Sequence, residues 1–259
     1  MNLPKISIVT PSFNQAKFIE RTIISVLAQN YPNLEYIVVD GGSTDGTLAI
    51  LEKYKDKIKY VSEKDNGQSD ALNKGFAMAT GDILGWLNSD DCYLPGSLHK
   101  VAKLFQKHPE SQWLIGFCKI INQQDVEVSR AITRYKNLLL KFLAGPATLH
   151  VANFISQPAT FFTPKILQKV GGLDLNLHYA MDYDLWFRLY REVSPAVITD
   201  YLAAFRVHMS SKGTTAFNAQ FRELNAVSAR YTNNRMLLAL GIWHNYLVQK
   251  IYMHTKPSN

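Results

Sequence analysis

Short apolar runs and segments with helical spacing alternate along the first hundred residues. The apolar, β-branched runs have the length of β-strands and lie at residues 6–10, 35–40, 59–61 and 83–87. Apolar residues recur every three or four positions between these runs, which predicts helices at about residues 18–27, 48–54 and 70–79. This order predicts an α/β fold with a mostly parallel, Rossmann-like sheet, flanked by helices in right-handed crossovers.

The pattern is less regular beyond residue 110. It predicts strands at residues 113–121 and 157–162, helices at 136–143 and 182–191, and a Gly/Pro-containing loop at 144–150. Two more helices are predicted at about residues 217–231 and 235–253. We therefore expect one domain over residues 1–210, with halves at about 1–110 and 111–210, and a helical C-terminal extension over 211–259.

Polar residues follow three of the early strands, at Thr10–Ser12, Asp40 and Asn88–Asp91. In open α/β sheets the carboxyl ends of the strands hold the ligands. The adjacent carboxylates of Asp90 and Asp91 would repel each other unless they were solvated, hydrogen-bonded or shared with a cation. Mg²⁺ shared with a phosphorylated ligand explains the pair best, and a solvated acidic turn is the alternative. Ser97 is the expected N-cap of the helix that follows.

Asp40 and the glycines after it have two interpretations. The Asp40 carboxylate can accept a hydrogen bond from a uracil-type imide N–H, or it can cap the turn near Thr44. Gly41 and Gly42 resemble a phosphate-binding loop, but neither the GxGxxG fingerprint nor the lysine-serine ending of a P-loop follows them. The sequence therefore argues against a dinucleotide-dependent oxidoreductase and a P-loop enzyme.

Composition adds a cellular setting and a charge asymmetry. Hydrophobic residues make up 47% of the chain, but no uninterrupted apolar run reaches about 18 residues. With two cysteines and no apolar leader, we expect reduced thiols and a cytoplasmic protein. The net charge of +7 is concentrated after residue 203, where seven Lys and Arg residues face one acidic residue. Such a basic segment suits a polyanion, an anionic membrane surface, or simply solvent.

Five motifs in order resemble family 2 glycosyltransferases of the GT-A fold. They are IVTPSFN at 8–14, VVDGGSTDGT at 38–47, DNGQSDALNKG at 65–75, LNSDD at 87–91, and GGLD at 171–174 with MDYDLW at 181–186. The resemblance covers about residues 5–210. It implies a nucleotide-sugar-binding first half and an acceptor-binding, catalytic second half.

The resemblance also implies an activity and a set of site residues. The expected reaction is inverting transfer of a sugar from a nucleotide-diphosphate sugar, with a UDP-sugar as the expected donor, to a hydroxyl of a carbohydrate or lipid-linked acceptor. Asp182 is the expected catalytic base, and Mg²⁺ or Mn²⁺ would be bound by Asp91 and His208. The residues expected to bind the nucleotide-sugar are Thr10, Pro11, Ser12, Asp40, Gly67, Gln68, Lys74, Asn88, Ser89 and Asp90. We expect no nucleic-acid partner.

Three positions depart from the family pattern. Asn88 replaces the first acid of the acid-x-acid motif, Leu72 replaces an arginine, and Met181 replaces a glutamate. The contact to the phosphate or ribose that the arginine makes in the family would then be either missing or supplied by Lys74. Asp184 is the second candidate for the base. Asp182 and Asp184 both lie in the first turn of the predicted helix. Negative charge there interacts favourably with the helix dipole, which would explain both residues without any catalytic role.

Some alternatives remain open. His208 is either a metal or diphosphate ligand or a structural hydrogen-bonding residue. The apolar segments 136–143 and 236–253 either dock peripherally on the inner membrane face or pack against the core or a second copy. A nucleotidyltransferase is a second functional hypothesis, although residues 11–15 are not the glycine-rich, basic loop it needs. A decayed sugar-nucleotide-binding scaffold is a third, because of Asn88 and Met181.

Overall fold

A computed structural model describes residues 3–209, 211 and 217–255. Eight strands form one mixed sheet in the order β3-β2-β1-β4-β7-β6-β8-β5. In chain order the strands are β1 (Ile6–Ser12), β2 (Leu34–Asp40), β3 (Lys59–Ser62), β4 (Ile83–Trp86), β5 (Cys92–Tyr93), β6 (Trp113–Ile121), β7 (Thr160–Phe162) and β8 (Ala196–Arg206).

The helices lie between and after these strands. They are α1 (Ile19–Leu27), α2 (Thr47–Lys53), α3 (Gln68–Met78), α4 (Ser97–Lys107), α5 (Arg130–Leu143), α6 (Pro146–Val151), α7 (Pro164–Val170), α8 (Met181–Glu192), α9 (Phe217–Tyr231) and α10 (Arg235–Thr255). A 3-10 turn spans Gln157–Ala159. Within the described residues, no helix combines the length and apolar character needed to cross a membrane.

The first half of the sheet confirms the predicted parallel pattern. β1 lies between β2 and β4 and runs parallel to both, and β2 pairs in parallel with β3. Both faces of β1 and β4 are buried, which explains their continuous apolar sequences. Helix α3 lies close to this sheet at Gly75, where an added Cβ would come within 2.3 Å of a Val9 methyl group. Glycine at this position therefore lets the second half of α3 pack closely on β1 and β2.

The second half is mixed, which the sequence did not predict. β7 pairs antiparallel with both β4 and β6, β8 runs parallel to β6, and β5 pairs antiparallel with β8. The pairing of β6 with β8 is irregular around Phe117. We predicted neither β5 nor β8, because β5 has two residues and β8 interrupts its apolar run with Thr199 and Asp200.

Two local predictions were wrong. The predicted loop at 144–150 contains helix α6, which begins at Pro146, a residue suited to the first helical turn. Ser97 is not an N-cap, because Gly96 holds that position in a left-handed conformation. The Ser97 hydroxyl instead donates to the carbonyls of Leu94 and Leu202, which ties α4 to β8.

Helix α9 packs against the helix that carries Asp182. The Glu223 carboxylate accepts hydrogen bonds from the backbone N–H groups of His178, Tyr179 and Ala180, at 2.5–3.0 Å. These residues lead directly into α8, so α9 fixes the start of that helix. Residue 210, at the predicted boundary, lies outside the described residues. Through α9, the described part of the extension packs against the domain.

Candidate active site

The carboxyl ends of β1, β2 and β4 meet at one edge of the sheet. Ser12 is opposite Asp40 in the β1–β2 register, and Val9 is opposite Trp86 in the β1–β4 register. This edge therefore brings together the three polar segments that follow the strands. Pro11 lies within β1 opposite Val39, and its side chain is buried.

Asp40 is fully buried and its carboxylate is occupied. Oδ2 accepts hydrogen bonds from the N–H groups of Gly42 and Ser43 and from the Ser62 hydroxyl, at 2.8–3.1 Å. Oδ1 accepts from the Ser43 hydroxyl at 2.5 Å. These bonds make Asp40 the cap of its own turn, the second of its two sequence interpretations.

Asp65 presents a second carboxylate at the same place. Its Oδ2 lies 2.6 Å from the position that a Cβ on Gly41 would occupy, so the absence of a side chain at Gly41 makes room for it. The other oxygen, Oδ1, accepts from the N–H of Gly67, the residue that caps α3. The Asp65 side chain is only partly buried. It therefore lies over the Gly41 turn with one oxygen free of any backbone bond that the structure gives.

The β1 hydroxyls differ in their bonding. Thr10 is buried and its hydroxyl lies 3.1 Å from that of Tyr36, whereas the Oγ of Ser12 is buried and has no hydrogen-bond partner among the described residues. A buried hydroxyl without a partner costs free energy in the unliganded protein. Ser12 therefore fits a polar ligand at this edge.

Asn88 is the centre of a hydrogen-bond network. Its Oδ1 accepts from the Trp86 indole at 2.7 Å and from the Gln68 amide at 2.8 Å. Its Nδ2 donates to Asp91 at 3.3 Å and to Gln157 at 3.1 Å. An amide satisfies this set because it both accepts and donates, whereas an aspartate would face two acceptors. The departure from the family's acid-x-acid pattern thus has a structural reason.

Asp91 and Asp90 differ sharply in exposure. Asp91 is fully buried, and its Oδ1 accepts from the Arg206 N–H at 2.8 Å. Burial and the neighbouring Asp90 charge raise the pKa of Asp91 well above its usual value. Arg206, also fully buried, holds this loop through the Asp90 carbonyl and the Asp125 carboxylate. Its guanidinium therefore holds this loop in place and is not available to bind a phosphate.

Asp90 instead faces His208. Its Oδ2 lies 3.0 Å from Nε2 of His208, and its side chain keeps 20% of its surface exposed. The imidazole is fixed against the Phe18 ring, with centroids 4.4 Å apart. Segments far apart in sequence thus place a carboxylate and an imidazole side by side. Ser89, between Asn88 and Asp90, is buried.

The donor set at Asp90 and His208 is compatible with a divalent cation. No group of three or more His, Cys, Asp or Glu side chains that could hold a metal occurs among the described residues. Mg²⁺ sites that also bind a phosphorylated ligand commonly use one or two carboxylates and take the other ligands from phosphate and water. Asp90 supplies one such carboxylate, and His208 is a nitrogen donor beside it.

Asp182 lies at the start of α8 with a partly buried side chain. Burial raises the pKa of this carboxyl to about 6, although the Tyr183 N–H and the Lys136 charge oppose the shift and Glu223 adds to it. Lys136 comes from α5, and its ammonium donates to the Ile155 carbonyl at 3.3 Å. A carboxyl of this kind can take up a proton near neutral pH.

Asp184 is in a different environment. It is buried, with Oδ2 accepting from Arg188 at 2.9 Å and Oδ1 from the Tyr231 hydroxyl at 2.7 Å. Met181 is also buried and belongs to the apolar core. Asp184 thus fits a structural role. Of the two carboxylates, Asp182 is the one that does not accept a hydrogen bond from a positively charged side chain among the described residues.

The GGLD segment docks on α3. Asn73 donates to the Leu173 carbonyl at 2.9 Å and accepts from the Leu173 N–H at 2.8 Å. Lys74, on the next position of α3, pairs with Glu63 at 2.7 Å and Asp70 at 3.5 Å. In the unliganded structure the Lys74 ammonium is thus paired with two carboxylates, and its contact with the phosphate or ribose stays a prediction.

Sequence reasoning did not assign roles to Asp65, Lys136 or Glu223. Asp65 belongs to a recognised motif, and its position two residues before a capping glycine was an available signal. The other two act across long sequence separations, and nothing local marks them.

Comparisons with known proteins agree on one family. The family model for Glycosyl transferase family 2 matches residues 7–171. A protein of Rickettsia prowazekii, described as an uncharacterized glycosyltransferase, is 31% identical over 94% of this chain and 78% of its own length. A glycosyltransferase of Mycobacterium tuberculosis is 33% identical over 78% of this chain and 75% of its own length.

Two solved structures share the fold. S. aureus TarS 1-349, in complex with UDP-GlcNAc, aligns with a TM-score of 0.67 at 18% identity, covering 98% of this chain and 76% of that one. The mannosyltransferase PcManGT of Pyrobaculum calidifontis, in complex with GDP-Man and Mn²⁺, aligns with a TM-score of 0.69 at 17% identity, covering 100% of this chain and 77% of that one. At these identities the likeness establishes the fold, and the predicted GT-A architecture is confirmed.

Proposed function

The chain belongs to glycosyltransferase family 2, and from this premise we propose that it transfers a sugar with inversion from a nucleotide-diphosphate donor to an acceptor hydroxyl. One arrangement carries the proposal: the partly exposed Asp90 beside the buried His208, and the Ser12 hydroxyl that has no hydrogen-bond partner among the described residues, lie at or just after the ends of β4, β8 and β1. A diphosphate, a cation and a ribose together need this mixture of groups.

Asp182 is the proposed base. Its carboxylate takes the proton of the acceptor hydroxyl as that oxygen bonds to the anomeric carbon and the bond from that carbon to the diphosphate oxygen breaks. Attack opposite to the leaving group inverts the anomeric centre, and one base is enough for that outcome. Lys136 tunes Asp182 through its nearby positive charge.

We reassign the metal-ligand role from Asp91 to Asp90, with His208 as its companion. The carboxylate of Asp91 is buried and hydrogen-bonded to Arg206 and Asn88, so Asp91 supports the loop. Mg²⁺ or Mn²⁺ held by Asp90 and His208 would offset the negative charge that the departing nucleoside diphosphate gains.

Base recognition is assigned to Asp65 rather than to Asp40. Asp40 holds the Gly41–Ser43 turn, and Asp65 presents a carboxylate over that turn. A carboxylate accepts from a ring N–H, which uracil and guanine offer and cytosine and adenine lack. Asp65→Ala should therefore weaken binding of UDP or GDP and reduce the preference for them over CDP and ADP. An unchanged preference would contradict this assignment.

The donor is proposed to be a UDP-sugar, and the acceptor a carbohydrate or a lipid-linked saccharide. TarS was solved with UDP-GlcNAc and PcManGT with GDP-Man, so the shared fold accommodates either base. The structural reasons for Asn88 and Met181 weaken the case for a decayed scaffold, since neither substitution removes Asp90 or Asp182.

Release of free nucleoside diphosphate tests the function. The chain is incubated with Mn²⁺ and a panel of UDP-hexoses, UDP-N-acetylhexosamines and GDP-mannose, without and with mixed saccharide acceptors. We expect release from one donor class, stimulated by an acceptor and abolished by a chelator. Absence of release from every donor, with no binding of the donors, would refute the proposal; binding without release would support the scaffold hypothesis.

A further inference from the structure

Helices α5 and α10 form one exposed surface, here called the α5–α10 surface. The helices meet at Tyr135 on α5 and His244 on α10: the Tyr135 hydroxyl lies 2.9 Å from His244 Nε2, and their rings are stacked with centroids 5.9 Å apart.

Both helices expose large apolar side chains in stripes. On α5, Tyr135, Leu138 and Phe142 follow helical spacing, and the Phe142 side chain is 67% exposed. On α10 the stripe consists of four exposed residues, one of which, Trp243, is 61% exposed: Met236, Leu240, Trp243 and Leu247. An apolar surface of this extent is a mark of an interaction site.

Charge selects the partner. Helix α5 contains four basic and no acidic residues, and α10 contains two basic and no acidic residues. Arg130, Arg134 and Lys141 are exposed and spaced by four and seven positions, so they form a basic stripe beside the apolar one on α5. Lys141 Nζ lies 5.1 Å from the ring centroid of Phe142, where the two stripes meet.

We propose that the α5–α10 surface docks the protein on an anionic lipid bilayer. Apolar side chains beside a basic stripe, with no acidic residue on either helix, match a bilayer with acidic headgroups. Two like-charged copies of this surface would repel each other, which makes a self-association interface less suited to it. No described helix is long enough and apolar enough to span, so contact of this kind is peripheral.

The inner face of α5 connects this surface to the proposed function. Lys136 points away from the stripes, contacts the Ile155 carbonyl and influences Asp182. With the membrane against the outer face of α5, Lys136 on the inner face of the same helix would still act on Asp182, the proposed base on the acceptor side of the site. If the proposed function holds, the acceptor is a lipid-linked one. Docking itself does not depend on that function.

Vesicle sedimentation of the full chain tests the proposal without any donor or acceptor. We expect it to bind phosphatidylcholine vesicles that contain about 30% phosphatidylglycerol, to bind pure phosphatidylcholine far less, and to be released by about 1 M salt. The triple variant Leu138→Ser, Phe142→Ser and Trp243→Ser should bind about tenfold more weakly. The charge variant Arg130→Gln, Arg134→Gln and Lys141→Gln should lose at least as much, and only on the anionic vesicles.

A matched control removes exposed apolar side chains elsewhere. The variant Ile24→Ser, Met78→Ser and Leu175→Ser should bind vesicles like the wild type, and melting curves verify that all variants fold. Failure of the wild type to bind anionic vesicles would overturn the proposal, as would equal loss in the control. A wild-type dimer in light scattering that the apolar variant converts to a monomer, without vesicle binding, would show a self-association interface instead.

Discussion

At the two ends of the parallel strands, the pKa of a buried carboxylate is shifted in opposite directions. Glu35, at the start of β2, is almost fully buried and receives hydrogen bonds from the ammonium groups of Lys59 and Lys5, the Ser7 hydroxyl and both the N–H and hydroxyl of Thr80. Burial alone would raise its pKa, but the bonds from Lys59, Ser7 and Thr80 outweigh burial and hold the pKa well below its usual range. At the opposite edge, burial and a neighbouring charge raise the pKa of Asp91.

The comparison separates a carboxylate that stabilises the fold from the carboxylates proposed to act in the site. The negative charge of Glu35 is balanced by two lysine ammonium groups of the protein itself, so Glu35 stabilises the fold without any ligand. At the carboxyl edge Asp90 is partly exposed, and the buried Ser12 hydroxyl has no hydrogen-bond partner among the described residues. We propose that a ligand and a cation complete that edge. Helix α8 repeats the contrast over three residues: Asp184 is paired with Arg188, and Asp182 is not.

The α8 pair should give the largest effect. Asp182→Asn removes the proposed base and should lower kcat by about a thousandfold, with little change in melting temperature. Asp184→Asn removes a buried partner of Arg188, so it should lower the free energy of unfolding by about 2 kcal/mol and leave kcat nearly intact. Parallel measurement of turnover and thermal melting separates these outcomes. The reverse pattern would move the base to Asp184.

Glu35→Gln should affect stability without affecting chemistry. Because two ammonium groups lose their carboxylate partner, unfolding should become easier by about 2 kcal/mol, as measured by urea titration. The depressed pKa means that the contribution is present above the unfolded-state pKa of about 4.3 and lost as pH falls below it. The difference from wild type should therefore shrink in acid. The surface variant Glu52→Gln, which breaks an exposed ion pair, is the control and should show no measurable change.

Asn88→Asp tests whether restoring the family's acid improves the site. The new carboxylate would face the Asp91 carboxylate and the side-chain amide oxygen of Gln157, both acceptors. We expect a loss of about 1–3 kcal/mol in stability and no tighter binding of Mn²⁺. Tighter Mn²⁺ binding by a stable variant, measured by calorimetry in the presence of UDP, would show that the network is dispensable.

The pH midpoint of turnover should differ between variants by the smallest amount of these predictions. The pKa of Asp182 is raised to about 6, with Lys136 on α5 and Glu223 on α9 as the charged groups that act on it. A base works in its deprotonated form, so kcat should be level above about pH 7 and fall about tenfold per pH unit well below 6. Lys136→Met removes an opposing charge and should move the midpoint upward. A rate that rises toward acid would contradict the base assignment.

The first half of the fold could be predicted because its signals are local. Buried parallel strands appear as continuous apolar runs, and each strand end carries its polar residues in the following few positions, as at Asp40 and Asn88. The helices after residue 217 were also found, since their spacing is regular. Membership of the glycosyltransferase family followed from the order of five short motifs.

Long-range pairing explains what could not be predicted. The short β5 is defined by its antiparallel bonds to β8, and Glu223 acts on residues more than 40 positions away. The choice between Asp90 and Asp91 depends on which carboxylate accepts a hydrogen bond from the backbone N–H of Arg206, a contact across 115 residues. Sequence spacing cannot tell which of two adjacent acids is buried.

Thermal melting with nucleoside diphosphates, with and without Mn²⁺, is the most direct test of a nucleotide-sugar site at the carboxyl edge of the sheet. We predict that UDP raises the melting temperature of the wild type only when Mn²⁺ is present, because ligand binding to the folded state stabilises it by mass action. Asp90→Asn should lose this metal-dependent shift, and Glu35→Gln should keep it from a lower starting temperature. No shift with UDP, GDP, CDP or ADP, with or without Mn²⁺, would contradict the claim that the carboxyl edge of the sheet is a nucleotide-sugar site.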